Sequence, residues 1–339
     1  MKKMLAAVFE GEGKLALKEI PVPEIKTEDE VLLEVEAASI CGTDVHILEV
    51  PPGHPATPGT ILSHEYVGRV LEIGKGVTRF KAGDRVVVDP NLKCGGCSYC
   101  KMGMPNMCEN MTTLGIFIDG GFARYNTAPA KALHPISPHL PSELAVFAEP
   151  LSCVVNATQK LCVHPGKSVV VLGAGPIGLL FTQMFKASGA GKILVSEISE
   201  YRARFAQESG ATRVINPLKE DLEGVVKDET PLGADVVVDA VGVLFKIAME
   251  IARRGGQILL FGQNYQATTE IAQNDITRNE LVILGSFIAK FTFPPTIKII
   301  ESRVLNLEKL ITHRLSLSEI HRGIEAMRNQ KAIKVVITP

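Results

Sequence analysis

The chain lacks an excess of charge of either sign. Its 36 lysines and arginines stand against 37 aspartates and glutamates, for a formal net charge of −1 over 339 residues. A near-neutral surface gives no electrostatic reason to bind nucleic acid or an anionic membrane. No apolar stretch reaches membrane-spanning length. The opening MKKMLAAVFEGEG begins with lysines, but its apolar run is too short for a signal peptide and no cleavage site follows. The cytoplasm is the expected location. Internal repeats and low-complexity segments are also missing. The seven cysteines are odd in number, and four of them crowd into residues 94–108. In a reducing compartment such a cluster reads as metal ligation rather than a disulfide framework.

What is present suits a globular protein, with 46% hydrophobic and 22% charged residues on a chain long enough for two domains with their own cores. Residues 1 to about 150 are strand-rich. VLLEVEAASI, YVGRVLEIG and DRVVVDP are β-favouring runs separated by turn-formers. From about residue 166 strand and helix alternate. Strands are expected at Lys167–Leu172, Lys192–Glu197, Arg213–Asn216, Ala234–Asp239, Gln257–Phe261 and Leu281–Gly285. Helices are expected at Ile177–Ala187 and Tyr201–Ser209. That alternation argues an α/β fold with a doubly wound parallel sheet. Near Ile288 the pattern breaks. The tail offers a segment Pro294–Ser302, a helix over 318–329 opened by Ser318, and a final strand Lys334–Ile337, expected to rejoin the first domain.

Three constellations carry chemistry. The first is Gly173-Ala174-Gly175-Pro176-Ile177-Gly178, which follows an apolar strand and opens a helix. Gly173 permits the tight turn, Gly175 lets the backbone approach a pyrophosphate, and Gly178 lets helix and strand pack closely. The helix N-terminus favours phosphate. Glu197 closes the second strand, 19 positions after Gly178. A carboxylate there accepts from both ribose hydroxyls and repels a 2′-phosphate, so NAD is expected over NADP. Arg202 nearby argues the other way. Val241 and Phe261, at later strand ends, lie where nicotinamide should rest.

The second constellation is Cys94, Cys97, Cys100 and Cys108, whose four thiolates can surround Zn²⁺ with no open position. Such a site is structural. An iron–sulfur cluster and a nucleic-acid-binding zinc ribbon are its rivals. The iron–sulfur run usually has a shorter last gap followed by Pro.

The third is Cys41 with His64 and Glu65, in CGTDVH and SHEYVG. Thiolate, imidazole and carboxylate hold Zn²⁺ while leaving room for chemistry. Taken alone, Cys41 reads as core packing, Thr43 as a helix cap, and His64 and His46 as structural. Cys153 and Cys162 read as packing in helix or strand interiors, and His54 as a solvated side chain of loop 51–59.

The phrases CGTDVH, SHEYVG, AGDRVVVDP, the four-cysteine loop, GGFARY, AEPLSC, VVVLGAGPIG and KVVITP occur in that order. As a set they resemble the zinc-dependent medium-chain dehydrogenases over essentially the whole chain. One departure is Ser63, where the family usually has glycine, and it is expected to be harmless. The resemblance implies a GroES-like β-barrel catalytic domain from 1–148 and 289–339, with the structural zinc loop at 91–111. A Rossmann domain at 149–288 is inserted, and zinc and nicotinamide face each other. It implies Cys41 and His64 as zinc ligands, with Glu65 a ligand or near-ligand. Glu149 of AEPLSC faces the metal directly or through water. The preferred set is Cys41, His64, Glu65 and a water, with Glu149 adjacent and Asp44 orienting the histidine.

Zinc brings the pKa of a bound water from about 16 to about 7 and acts likewise on a bound hydroxyl. Thr43 then takes the proton and His46 passes it to solvent. AEPLSC points to a secondary alcohol on a polyol, cyclitol or sugar-type substrate. L-Threonine is the alternative, and a zinc-free quinone-reductase relative the further one. Ile47 and Ile288 stand where sorbitol-type enzymes usually carry tyrosine and arginine. A homodimer or homotetramer is implied, through the sheet edge near 281–293.

Overall fold

The computed structural model describes residues 2–339, and these form two units. The first takes the chain up to Ser152, then Lys290–Arg303 and Ile311–Pro339. The second takes Cys153–Ala289 and Val304–Leu310. The sequence-based division places the first change at 148/149. The structure places it four residues later, inside helix Ala148–Thr158. It also adds an excursion at 304–310 that no composition shift announces.

The first unit is built on strand Glu30–Ile40, in which Val31, Leu33, Val35 and Ala37 are buried and alternate with half-exposed neighbours. That is the period of a sheet with one wet face. From Ala37 to Ile40 every residue is buried, so the strand runs into the core just before Cys41. It pairs antiparallel with Glu65–Ile73, with Tyr125–Pro129, and with the closing strand Lys334–Thr338. The tail thus rejoins the first unit. Ile311–Ser316 pairs parallel with the closing strand and ends the sheet on that side. Arg85–Val88 and Leu133–Pro135 extend it on the other. A hairpin of Lys3–Gly11 and Lys14–Pro21 stands apart as its own two-stranded sheet.

The second unit is a six-stranded parallel sheet. Its order is Arg213–Ile215, Lys192–Ser196, Ser168–Leu172, Ala234–Asp239, Ala252–Leu260, Val282–Gly285. Numbered along the chain this is 3-2-1-4-5-6, the dinucleotide-binding order. Its central strands are continuous runs of Val, Ile and Leu. Val169, Val170, Val171, Leu194, Val195 and Val237 are fully buried, as expected for strands covered on both faces. The expected helices are there, as Pro176–Ala187 and Glu200–Glu208. Three more, Leu222–Glu229, Phe245–Ile251 and Gln273–Asn279, go beyond the sequence expectation. No helix among the described residues is long and apolar enough to cross a membrane.

Candidate functional site

Strand register assembles the first cluster. Ser39 lies opposite Glu65 on the neighbouring strand and opposite Val336 on the closing strand. Side chains two apart share a face of a strand, so Lys334 falls on the side of Ser39 and Glu65. All three are buried, and Glu65 Oε2 accepts from both Ser39 Oγ and Lys334 Nζ. Cys41 follows Ile40 at the strand end and precedes the short helix Gly42–Ile47. The Cys41 backbone N–H donates to Asp44 Oδ2 at 2.8 Å, fixing the turn.

One ligand atom each from Cys41, His64 and Glu65 lies within 4.8 Å of the others. Cys41 Sγ is 3.7 Å from Thr43 Oγ1. His64 is 7% exposed, and its Nδ1 is buried with no hydrogen-bond partner. A soft sulfur, an imidazole and a carboxylate with ligand atoms this close together suit a Zn²⁺ ion. Asp44 Oδ1 is likewise without a partner, so Asp44 acts on His64 through its field and not by a hydrogen bond.

Burial opposes charge throughout this cluster. It would lower the pKa of His64, but the Cys41 sulfur beside the ring, with Asp44 and Glu149, outweighs it and holds the value well above the usual range. Burial raises Asp44 to about 6 against the pull of His64. It raises Glu149 to about 7, aided by Glu65 and opposed by His64 and Lys334. Glu149 is thus a neighbour in the field of the cluster, while standing outside its 4.8 Å set.

His46 is exposed, and its Nδ1 lies 2.9 Å from Glu49 Oε1. His54 is half-buried rather than solvated. Its Nδ1 meets the Pro55 carbonyl at 2.8 Å, and burial lowers its pKa with help from His64 and His46. Ile47 has no exposed surface and belongs to the core, so it offers nothing to a substrate. Ser63 sits at φ +74°, a conformation that explains the family's usual glycine. Its hydroxyl donates to the Ser39 and Glu65 carbonyls at 3.2 and 3.3 Å.

The four-cysteine loop closes on itself. Cys108 Sγ lies 3.5 Å from Cys94 Sγ and 3.9 Å from Cys97 Sγ. A tetrahedron of ~2.3 Å zinc–sulfur bonds has edges of about 3.8 Å, so the spacing fits. The N–H groups of Gly96 and Cys97 point at Cys94 Sγ and bring that thiol down to about 6. Burial and the neighbouring Cys97 push Cys100 up to about 12. A cation among them would make all four thiolates. Cys153 is buried in its helix, but Cys162 is exposed and outside any element, contrary to the sequence reading. Its backbone N–H is held by Gln257 Oε1 at 2.7 Å, which places the residue in a connecting turn rather than a packed interior.

In the second unit Gly173 has φ +96°, and a Cβ on Gly178 would collide with the Gly173 carbonyl oxygen. Both positions therefore require glycine. Gly175 caps helix Pro176–Ala187, which Pro176 and Ile177 open. Glu197 is 7% exposed. Its Oε2 accepts the Ala174 N–H at 2.7 Å, and its Oε1 accepts the Ser199 N–H at 2.8 Å. The carboxylate therefore also braces the glycine turn, a role the sequence did not suggest. Arg202 lies alongside Gly175 with its Nε buried and unpartnered; burial lowers its pKa against the pull of Glu197. Val241 packs near Gly173, and Phe261 sits edge-on to Phe181 with centroids 5.1 Å apart. Asp239 holds the Val241 and Gly242 N–H groups at 2.9 and 2.8 Å.

Comparison with known proteins places the chain in a family. Residues 27–138 match the family model of the alcohol dehydrogenase GroES-like domain, and residues 176–302 match that of the zinc-binding dehydrogenases. An L-threonine 3-dehydrogenase of Caldanaerobacter subterraneus is 36% identical over 92% of each chain. A D-altritol 5-dehydrogenase of Agrobacterium fabrum is 35% identical over 94% of each. A solved structure from Sinorhizobium meliloti, described as a zinc-binding dehydrogenase bound to NADP, superposes with a TM-score of 0.94 over 100% of both chains, at 33% identity.

Proposed function

Because this chain belongs to the zinc-dependent medium-chain dehydrogenase family, we propose that it oxidises a secondary alcohol of a polyol, cyclitol or sugar-type substrate with NAD as hydride acceptor. The coarser part is plain from the relatives: the protein is a zinc-type alcohol dehydrogenase with a nicotinamide cofactor. The observation that carries the reading is the convergence of Cys41, His64 and Glu65 ligand atoms within 4.8 Å.

In this reading Cys41, His64 and Glu65 hold the catalytic zinc, with Glu149 beside it. Cys94, Cys97, Cys100 and Cys108 hold the structural one. Bound Zn²⁺ supplies Lewis acidity, which lets a substrate hydroxyl lose its proton near neutral pH. Thr43 receives that proton on its hydroxyl, and His46 delivers it to solvent. Lys334 and Ser39 share the charge of Glu65 and keep the carboxylate from being an unpaired buried anion. Gly173, Gly175 and Gly178, with Pro176 and Ile177, receive the cofactor pyrophosphate at a helix N-terminus. Glu197 favours NAD by repelling a 2′-phosphate, and Arg202 offsets part of that preference. Val241 and Phe261 line the nicotinamide end. Assembly as a homodimer or homotetramer through the edge strand Val282–Gly285 belongs to the same reading.

L-Threonine is the second substrate reading, favoured by the identity to the threonine enzyme. A zinc-free quinone reductase has no use for the Cys41–His64–Glu65 cluster. The test is a turnover screen of polyols, cyclitols, keto-sugars and L-threonine with NAD and NADP in parallel. Turnover of polyols with NAD supports the reading, and turnover of threonine alone replaces it with the second.

A further inference from the structure

We infer that Glu49 is a positioning residue that fixes the tautomer of His46, an inference that rests on the relay role proposed above for His46. The contact is between His46 Nδ1 and Glu49 Oε1 at 2.9 Å. A carboxylate only accepts, so the ring nitrogen facing it must carry the proton. The neutral ring is therefore the Nδ1–H form. Its Nε2 keeps a free lone pair, which is what a relay base needs on the side that receives a proton. The opposite tautomer would present an N–H there and block the transfer.

The surrounding loop is shaped to hold this pair. Gly53 returns over the ring, donating its N–H to the His46 carbonyl at 2.9 Å. A Cβ on Gly53 would come within 2.5 Å of Glu49 Oε2 and 3.4 Å of His46 Nδ1. Glycine at 53 therefore leaves the space that the carboxylate occupies. A pair this exposed adds little to stability, yet a bias of up to about fivefold is enough to choose between tautomers. His54 is the other titratable group whose field His46 reaches from this loop. Its own Nδ1 is engaged by the Pro55 carbonyl, so it does not compete for Glu49.

Two variants test this. Glu49→Ala removes the acceptor. Gly53→Ala leaves the carboxylate in the chain but displaces it from the ring. Imidazole ¹⁵N NMR on the metal-loaded protein, above neutral pH, reads the tautomer of His46 directly, with His46→Gln assigning the signal. Wild type is expected as Nδ1–H, and both variants should move toward Nε2–H. Their kcat should fall by about two- to fivefold, the size of the lost tautomer bias, with the cofactor KM unchanged. Unchanged ring nitrogen shifts in Glu49→Ala would overturn the inference, whatever the turnover. A wild type that shows the expected tautomer but oxidises no secondary alcohol would count against the dehydrogenase reading, and not against the Glu49–His46 coupling.

Discussion

Lys334 and Glu65 form an ion pair with side chains 3% and 1% exposed, joining the closing strand of the chain to the residue that follows His64. Two charges so deeply buried tolerate each other only as a pair, with Ser39 Oγ as a further donor. In the metal-free protein Lys334→Met leaves an uncompensated carboxylate and is expected to cost about 3–5 kcal/mol. Combining it with Glu65→Gln should recover a large part of that loss. Urea unfolding of the four metal-free proteins of the cycle checks both expectations.

The cysteine loop makes a separate prediction. Cys100→Ser is expected to lower bound zinc from two ions per chain to one, since two ligand clusters are present among the described residues. Cleavage by protease should then concentrate in residues 93–111. Elemental analysis and limited proteolysis measure the two effects. Dehydrogenase activity at low temperature should survive better than in Cys41→Ala, which also loses one ion.

Glu197 serves two partners, the Ala174 and Ser199 N–H groups, besides its proposed role in cofactor choice. Glu197→Ala frees the glycine turn and removes the charge that disfavours a 2′-phosphate. NAD kcat/KM is expected to fall at least about tenfold, with the NAD-to-NADP ratio moving toward NADP. Steady-state kinetics with both cofactors decides it.

Asp235 predicts the acid limb of the second unit. Burial would raise its pKa, but Lys167, the Ser168 N–H and Arg253 outweigh it and hold the carboxyl far below its ordinary value. A depressed folded-state pKa contributes stability above the unfolded value, near 3.9, and that contribution fades as pH falls below it. Asp235→Asn is expected to cost about 3 kcal/mol at pH 7, and its stability should depend less on pH below about 4 than that of wild type. Thermal unfolding against pH measures the difference.

Ser63 carries backbone strain at φ +74°. Ser63→Ala keeps the strain and loses two hydrogen bonds, whereas Ser63→Gly loses the bonds but relieves the strain. The alanine variant should be the less stable by about 1 kcal/mol, as read from melting temperatures.

Much of this was legible in the sequence for a physical reason. Glycines that need φ +96° or backbone contact, and cysteines at ligand spacing, advertise themselves locally. The same holds for strands buried on both faces. What was not legible depends on register or on distant chain. Lys334 looks like an ordinary strand-opening lysine until three strands align Ser39, Glu65 and Val336. Glu49 reads as a loop acid until Gly53 folds back over His46. Helix Gln273–Asn279 has no buried residue, so it carries no apolar periodicity to find. Cys162 reads as an interior thiol because cysteine is often buried, yet it lies exposed after its helix ends.

The account stands on a metal held by Cys41 and His64 that makes an alcohol oxidisable. The direct measurement is formation of reduced nicotinamide by zinc-loaded protein on a panel of polyols and other secondary alcohols, beside Cys41→Ala and His64→Ala. The account predicts turnover by wild type, with loss of at least about a thousandfold in both variants. Equal turnover in all three proteins, or none in a fully zinc-loaded wild type, would contradict it.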